Sequence, residues 1–150
     1  MKKNPPNEEG FVVRYSNGLR LKLKYAEYVR LHKLLTGFSV KDVWNQLRLG
    51  KPVADLLTDV PDEFFDWVRA WEKKLTKAYD EINEDVENTF LFLQHQAIMG
   101  SRVEFAKYVT KNYNPISAEL FRKLDKRLYG DIIWKKIRPR GAKVFKLDEV

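Results

Sequence analysis

From Pro61 to Gly100 the chain carries no internal glycine or proline, and its apolar residues recur every three or four positions: Phe64, Val68, Trp71, Leu75, Ala78, Ile82, Val86 and Phe90. That period places all of them on one face of an α-helix. Pro61 stands at the start, where its missing N–H costs nothing, and Asp62, Glu63 and Asp66 complement the helix dipole in the first turns. The spacing predicts a helix of roughly 35–38 residues, about 50–57 Å long, with Asn83 and Asn88 as admissible break points. A rod of that length cannot bury its stripe alone. Its aromatic residues favour the inside of a helix bundle over a two-stranded coiled-coil seam.

Shorter helical patterns flank it. Tyr28, Leu31, Leu34 and Leu35 mark a helix over Tyr25–Thr36, with Gly37 as its stop. Ser39 caps a second helix carrying Val40, Val43, Trp44 and Leu47, which ends at Gly50. A turn of helix follows over Pro52–Leu57. Ser101 and Glu104 have capping-box spacing ahead of Phe105, Ala106, Tyr108 and Val109, and this helix ends around Asn112–Asn114. Pro115 and Ser117 open another with Leu120, Phe121, Leu124 and Leu128, closed by Gly130. A last short helix holds Ile132, Ile133, Trp134 and Ile137 and stops near Pro139, leaving Gly141–Val150 extended or loose. The expected fold is mainly α: a multi-helix bundle of five to seven helices with one long helix, preceded by an N-terminal β-hairpin.

The hairpin rests on Glu9-Gly10-Phe11-Val12-Val13-Arg14-Tyr15-Ser16-Asn17-Gly18-Leu19-Arg20-Leu21-Lys22-Leu23-Lys24. Asn17-Gly18 is the dipeptide that best tolerates the two positive φ angles of a type I′ turn. A two-residue loop there pairs Ser16 with Leu19, Arg14 with Leu21, Val13 with Lys22 and Phe11 with Lys24. Alternation then puts Glu9, Phe11, Val13, Tyr15, Arg20, Lys22 and Lys24 on one face. One carboxylate and two lysines beside aromatic groups suit a metal-bound anionic ligand. The solvated face of an ordinary hairpin has the same composition. A two-stranded hairpin is marginal in water, so this one is expected to pack on the helices or to belong to a larger sheet.

The net charge of +7 is unevenly distributed. Residues 1–54 hold 11 basic and 4 acidic groups, residues 55–87 hold 4 and 11, and residues 88–150 hold 13 and 6. Basic ends favour a phosphate backbone through counterion release, and they also suit packing against an acidic centre. The absence of cysteine excludes disulfides and thiolate metal sites and fits a cytoplasmic setting. No apolar run approaches the roughly 18–20 residues that span a bilayer, and Met1-Lys2-Lys3 is followed by no apolar signal region, so no membrane partner is expected.

Glu9-Gly10-Phe11-Val12-Val13, then a short turn and Lys22-Leu23-Lys24, resembles motifs IV and V of the covalent nucleotidyltransferases, and among these the ATP-dependent RNA ligases of the phage RNA-repair type. The continuation Tyr25-Ala26-Glu27-Tyr28-Val29-Arg30-Leu31-His32-Lys33 is similar to the segment after motif V in those ligases. The resemblance implies a metal-site role for Glu9 and nucleotide-phosphate contacts for Lys22 and Lys24. It implies residues 1–24 as the terminal hairpin of a nucleotidyltransferase domain and 25–150 as an all-helical C-terminal domain. ATP and Mg²⁺ are the cofactors of an intact enzyme, with neither expected to bind this chain tightly alone, and RNA is the expected partner.

The family attaches AMP to a lysine in a Lys-x-Asp-Gly motif, which this chain lacks. Lys123-Leu124-Asp125-Lys126 and Lys146-Leu147-Asp148-Glu149 come nearest, without the glycine. The chain therefore resembles the C-terminal part of a ligase, inactive alone, with an N-terminal catalytic portion or subunit elsewhere. A non-catalytic RNA-binding or regulatory module, a split-ligase subunit and a purely structural helical protein stay open beside it.

Arg122, Lys123, Lys126 and Arg127 are spaced to form one charged helix face, and Lys135, Lys136, Arg138 and Arg140 prolong it. This is the candidate RNA grip, with Tyr113, Tyr129 or Trp134 for base stacking; a solvated basic surface is its plain alternative. His32 and His95 are too few and too far apart for zinc. Asp80, Glu81, Glu84, Asp85 and Glu87 fit a solvated helix face better than a cation loop.

Overall fold

The computed structural model describes residues 10–25, 37–57, 60, 62–141 and 144–145. Strands β1 (Gly10–Arg14) and β2 (Arg20–Lys24) come first. Helices α1 (Val40–Arg48), α2 (Asp62–Gln94), α3 (Arg102–Asn112), α4 (Ser117–Leu124) and α5 (Gly130–Lys136) follow, with 3₁₀ turns at Val53–Leu56, Ala97–Gly100 and Asn114–Ile116. The protein is mainly helical, with one long helix behind an antiparallel hairpin, as the sequence pattern predicts. The helix expected over Tyr25–Thr36 lies outside the described residues, apart from Tyr25.

Helix α2 runs unbroken for 33 residues, about 50 Å, straight through Asn83 and Asn88. It is the spine of two separate cores. Its first half sends Phe64, Val68 and Leu75 into a cluster with Val40, Val43 and Trp44 of α1, Val53 and Phe145. Its second half sends Val86, Phe90 and Leu93 into a cluster with Phe105 and Val109 of α3, Ile116, and Leu120 of α4. The helix is shorter than expected at its C-terminal end. There His95 N donates to Phe92 O and Gln96 N to Leu93 O, so the last turn tightens to 3₁₀ and reverses the chain to bring α3 back onto Leu93.

The hairpin forms, in a different register. Gly10 pairs with Lys24, Phe11 with Leu23, Val12 with Lys22, Val13 with Leu21 and Arg14 with Arg20. Tyr15 N donates to Leu19 O at 2.8 Å and Gly18 N to Tyr15 O at 3.0 Å. That is a three-residue loop, Ser16-Asn17-Gly18, in which Gly18 alone takes positive φ (+85°). The extra loop residue shifts the pairing by one and regroups the faces. Phe11, Val13, Leu21 and Leu23 now share one side. Gly10, Val12, Arg14, Arg20, Lys22 and Lys24 share the other. Asn17 Oδ1 accepts from Leu19 N at 3.1 Å, a turn contact that keeps the asparagine out of the left-handed region.

Two helix ends show how the chain stops its helices. After α1, Lys51 N donates to Gln46 O and Gly50 N to Leu47 O, a Schellman motif with Gly50 at φ +65°. After α4 the same pair of bonds recurs: Arg127 N to Arg122 O and Lys126 N to Lys123 O. Here a lysine, Lys126, holds the left-handed position at φ +54°. The helix expected to reach Leu128 and close at Gly130 thus ends at Leu124, and Leu128 is left 90% exposed.

Within the C-terminal stretch, expected to be extended or loose, Val144 and Phe145 return to the core. Val144 forms an antiparallel bridge with Ser39, Phe145 N donates to Phe38 O at 3.2 Å, and the Phe145 ring meets Phe64 edge-on at 5.2 Å. Phe145 is buried.

Candidate anion-binding surfaces

Strand alternation decides what the hairpin offers. Lys22 and Lys24 stand two residues apart on one exposed face of β2. Arg20 extends the row on the same strand, and Arg14 lies directly across from it. Four cations therefore occupy one face of a five-residue ladder, and no carboxylate stands among its described residues. Two arginines placed opposite each other disfavour the pairing by roughly 0.2–1 kcal/mol, a cost that an anion lying over the face reverses. Arg14 is the member the sequence pattern missed, because the two-residue loop put it on the other side. The same dipeptide, Asn-Gly, also serves a three-residue loop with a left-handed glycine, and that was the available signal.

Glu9 lies outside the described residues. Its expected grouping with Lys22, Lys24, Phe11 and Val13 rested on the register that the structure replaces. Among the described residues no group of three His, Cys, Asp or Glu is arranged around a common centre for a metal ion. The cation row matches phosphate oxygens. It offers a divalent metal no oxygen ligands of its own.

The C-terminal basic residues divide into two kinds. Lys123 is paired with Glu87 of α2, and its ammonium also lies over the rings of Phe90 and Tyr129. Tyr129 donates its hydroxyl hydrogen bond to Glu87 as well, and sits 3.0 Å from Asn83 Oδ1. The hydrogen bond from Lys123, then that from Tyr129, holds the Glu87 carboxyl below its ordinary range. Burial and then Glu87 push the Tyr129 hydroxyl up. Arg122 donates to Asp131 Oδ1 and to Leu128 O, both at 2.9 Å. Lys136 is paired with the buried Glu119. These three cations pin α4 and α5 to their neighbours and are largely spoken for inside the fold.

The rest of the predicted row is scattered. Lys126 and Arg127 lie past the end of α4, so the four-residue charged helix face does not exist as such. Asp125 beside them is bound by Arg102, with Nη2–Oδ2 at 3.0 Å, and that guanidinium holds its carboxyl low. Lys135 is exposed on α5. Arg138 lies over the Trp44 ring at 5.5 Å, and Arg140 is exposed in the segment after α5. Of the proposed stacking groups, Trp134 is packed face to face on Tyr79 at 4.9 Å, and Tyr113 sits against the second core. His95 is exposed beyond the end of α2, and His32 lies outside the described residues. Asp80, Glu81, Glu84 and Asp85 form an exposed or partly exposed stretch of α2, with Lys77 paired to Glu81 at 3.8 Å.

No family model, curated protein or solved structure matches this chain. No helix of the described residues is long and apolar enough to cross a membrane.

Proposed function

We propose that this chain is the C-terminal part of an ATP-dependent RNA ligase-like protein, and that its own work is to hold phosphates and RNA while the nucleophile is supplied from elsewhere. The observation that carries the reading is the exposed row Arg20, Lys22 and Lys24 with Arg14 across from it, in which Lys22 and Lys24 are the residues that resemble motif V. Ammonium and guanidinium groups at that spacing neutralise successive phosphate oxygens by direct charge. When bound, ATP supplies the activated phosphoanhydride and Mg²⁺ shields its charge. In this proposal Lys22 and Lys24 orient the phosphates. A reducing, cytoplasmic setting belongs to the same proposal.

The chain lacks a Lys-x-Asp-Gly nucleophile, so incubation with labelled ATP and magnesium is expected to leave no covalent adduct. A stable adduct overturns the non-catalytic assignment. Lys22→Ala with Lys24→Ala is expected to weaken binding of a 5′-phosphorylated RNA at low salt at least fivefold. Unchanged affinity removes the phosphate role. Ligation that appears only on mixing with a polypeptide bearing Lys-x-Asp-Gly identifies a split enzyme. RNA binding with no such complementation identifies a stand-alone module.

A further inference from the structure

A concavity lies far along the sequence from the hairpin, between the middle of α2 and the segment after α5. Its floor is apolar, made by Trp71, Leu75 and Ala78 of α2 with Ile137 and Pro139. Its two charged lining residues are Lys74 and Arg140, and none of its lining residues is acidic. The volume is about 360 Å³, within the roughly 300–1,000 Å³ typical of sites for small organic groups. In a chain with 21 acidic residues, and with α2 carrying many of them, a groove lined only by apolar and cationic groups is a selective arrangement. The acidic groups of this stretch, Glu72, Asp80, Glu81 and Glu84, line a different concavity of α2 with Arg69, Lys73 and Lys77.

The geometry around the two cations is specific. Lys74 Nζ stands 4.8 Å from the centre of the Trp71 ring, so positive charge and aromatic surface are presented together. Pro139 fixes the backbone on one side of Arg140, and Gly141 turns the chain on the other with φ +88°, a conformation that side-chain-bearing residues resist. Arg140 lies between them in the lining of the groove. Neither Lys74 nor Arg140 takes part in an ion pair among the described residues. A flat apolar body with a phosphate attached satisfies both halves of such a site: the body against the floor, the phosphate between ammonium and guanidinium.

We infer that this groove takes one unpaired nucleotide of single-stranded RNA, with its base on the Trp71–Ala78 floor and its phosphate between Lys74 and Arg140. The inference rests on the RNA reading above and adds to it a single-strand preference placed in the helical part. A duplex keeps its bases stacked and paired, so only an unpaired base can enter the groove.

The test uses the 150-residue chain, fluorescein-labelled hexa-adenylate and a blunt 12-base-pair RNA duplex, followed by anisotropy over a salt series. Lys74→Gln with Arg140→Gln is expected to weaken hexa-adenylate binding at least fivefold and to lower the salt slope by about 0.7, the release expected of one single-strand phosphate. Ala78→Leu, which fills the floor without changing charge, is expected to weaken the same probe at least threefold at unchanged slope while leaving the duplex unaffected. Unaltered melting temperatures accompany both variants. If both bind hexa-adenylate as the parent does while Lys22→Gln with Lys24→Gln weakens it, the groove inference fails and the RNA reading stands. If the parent chain binds neither probe, both fail. Full displacement of hexa-adenylate by an equal nucleotide concentration of free AMP also overturns the inference, since the groove then serves a mononucleotide.

Discussion

Lys136 Nζ stands 2.5 Å from Oε1 of Glu119, a carboxylate with no exposure to solvent. The ammonium approaches off the line that a hydrogen bond needs, and neither Glu119 oxygen accepts one from a described residue, so the contact is a Coulombic pair. The ammonium donates its hydrogen bond to Pro115 O instead, at 2.5 Å. A cation expected to serve RNA is thereby committed to tying α5 to α4. Lys136→Met leaves the carboxylate buried and unpaired. Because the Lys136 side chain is 34% exposed, the cost falls below the usual ~3–5 kcal/mol for a broken buried pair, at about 2 kcal/mol. Urea melts check this, and a Lys136→Met, Glu119→Met double variant is expected to recover most of the loss.

Lys126 occupies a left-handed position that glycine fills without strain. Lys126→Gly is expected to stabilise the protein by about 0.5–1 kcal/mol, seen as a raised urea midpoint at constant slope. Gly50→Ala, at the equivalent position after α1, is expected to destabilise by about 1 kcal/mol. Equal effects of the same sign at the two positions contradict the shared motif.

Glu87 joins α2 to Lys123 of α4 and to Tyr129. Its folded pKa is lowered, chiefly by the Lys123 hydrogen bond. The unfolded chain therefore binds this proton more readily, and the stabilisation is complete above the ordinary glutamate pKa and lost as pH falls through the lower folded value. The Glu87 side chain is 42% exposed, so the effect is modest. Glu87→Gln is expected to flatten the decline of melting temperature below about pH 4.5 and leave its slope near neutrality unchanged. An acid decline of equal steepness in both proteins refutes the assignment.

Phe145 fills the first core from the far end of the chain, against Phe64 at 5.2 Å and Trp67 at 5.7 Å. Phe145→Ala is expected to cost about 3 kcal/mol, typical of a buried aromatic truncation. Deletion of residues 144–150 is expected to cost at least as much, read by calorimetry. A loss under about 1 kcal/mol shows that the segment does not complete the core.

The sequence alone determined the elements whose information is local. The stripe Phe64 to Phe90 specifies α2 because a 3.6-residue period leaves one face to bury, and the buried apolar residues of α2 fall on that stripe or, at Leu93, on its continuation. Gly50 marks the end of α1 because no other residue takes a left-handed backbone so readily. Asn17-Gly18 placed the turn but left its length open, since two loops accept the same dipeptide, and the choice moved Arg14 onto the lysine face. Tertiary structure decided the rest. Lys126 can end α4 because Arg102 holds Asp125 and Arg122 holds Leu128 O and Asp131, contacts that span up to 23 positions of chain. Phe145 is core rather than tail because Phe38 and Phe64 leave a place for its ring, which only packing creates. The predicted basic face was divided for the same reason: charge is read from sequence, but whether a lysine meets a carboxylate or solvent depends on which helices lie beside it.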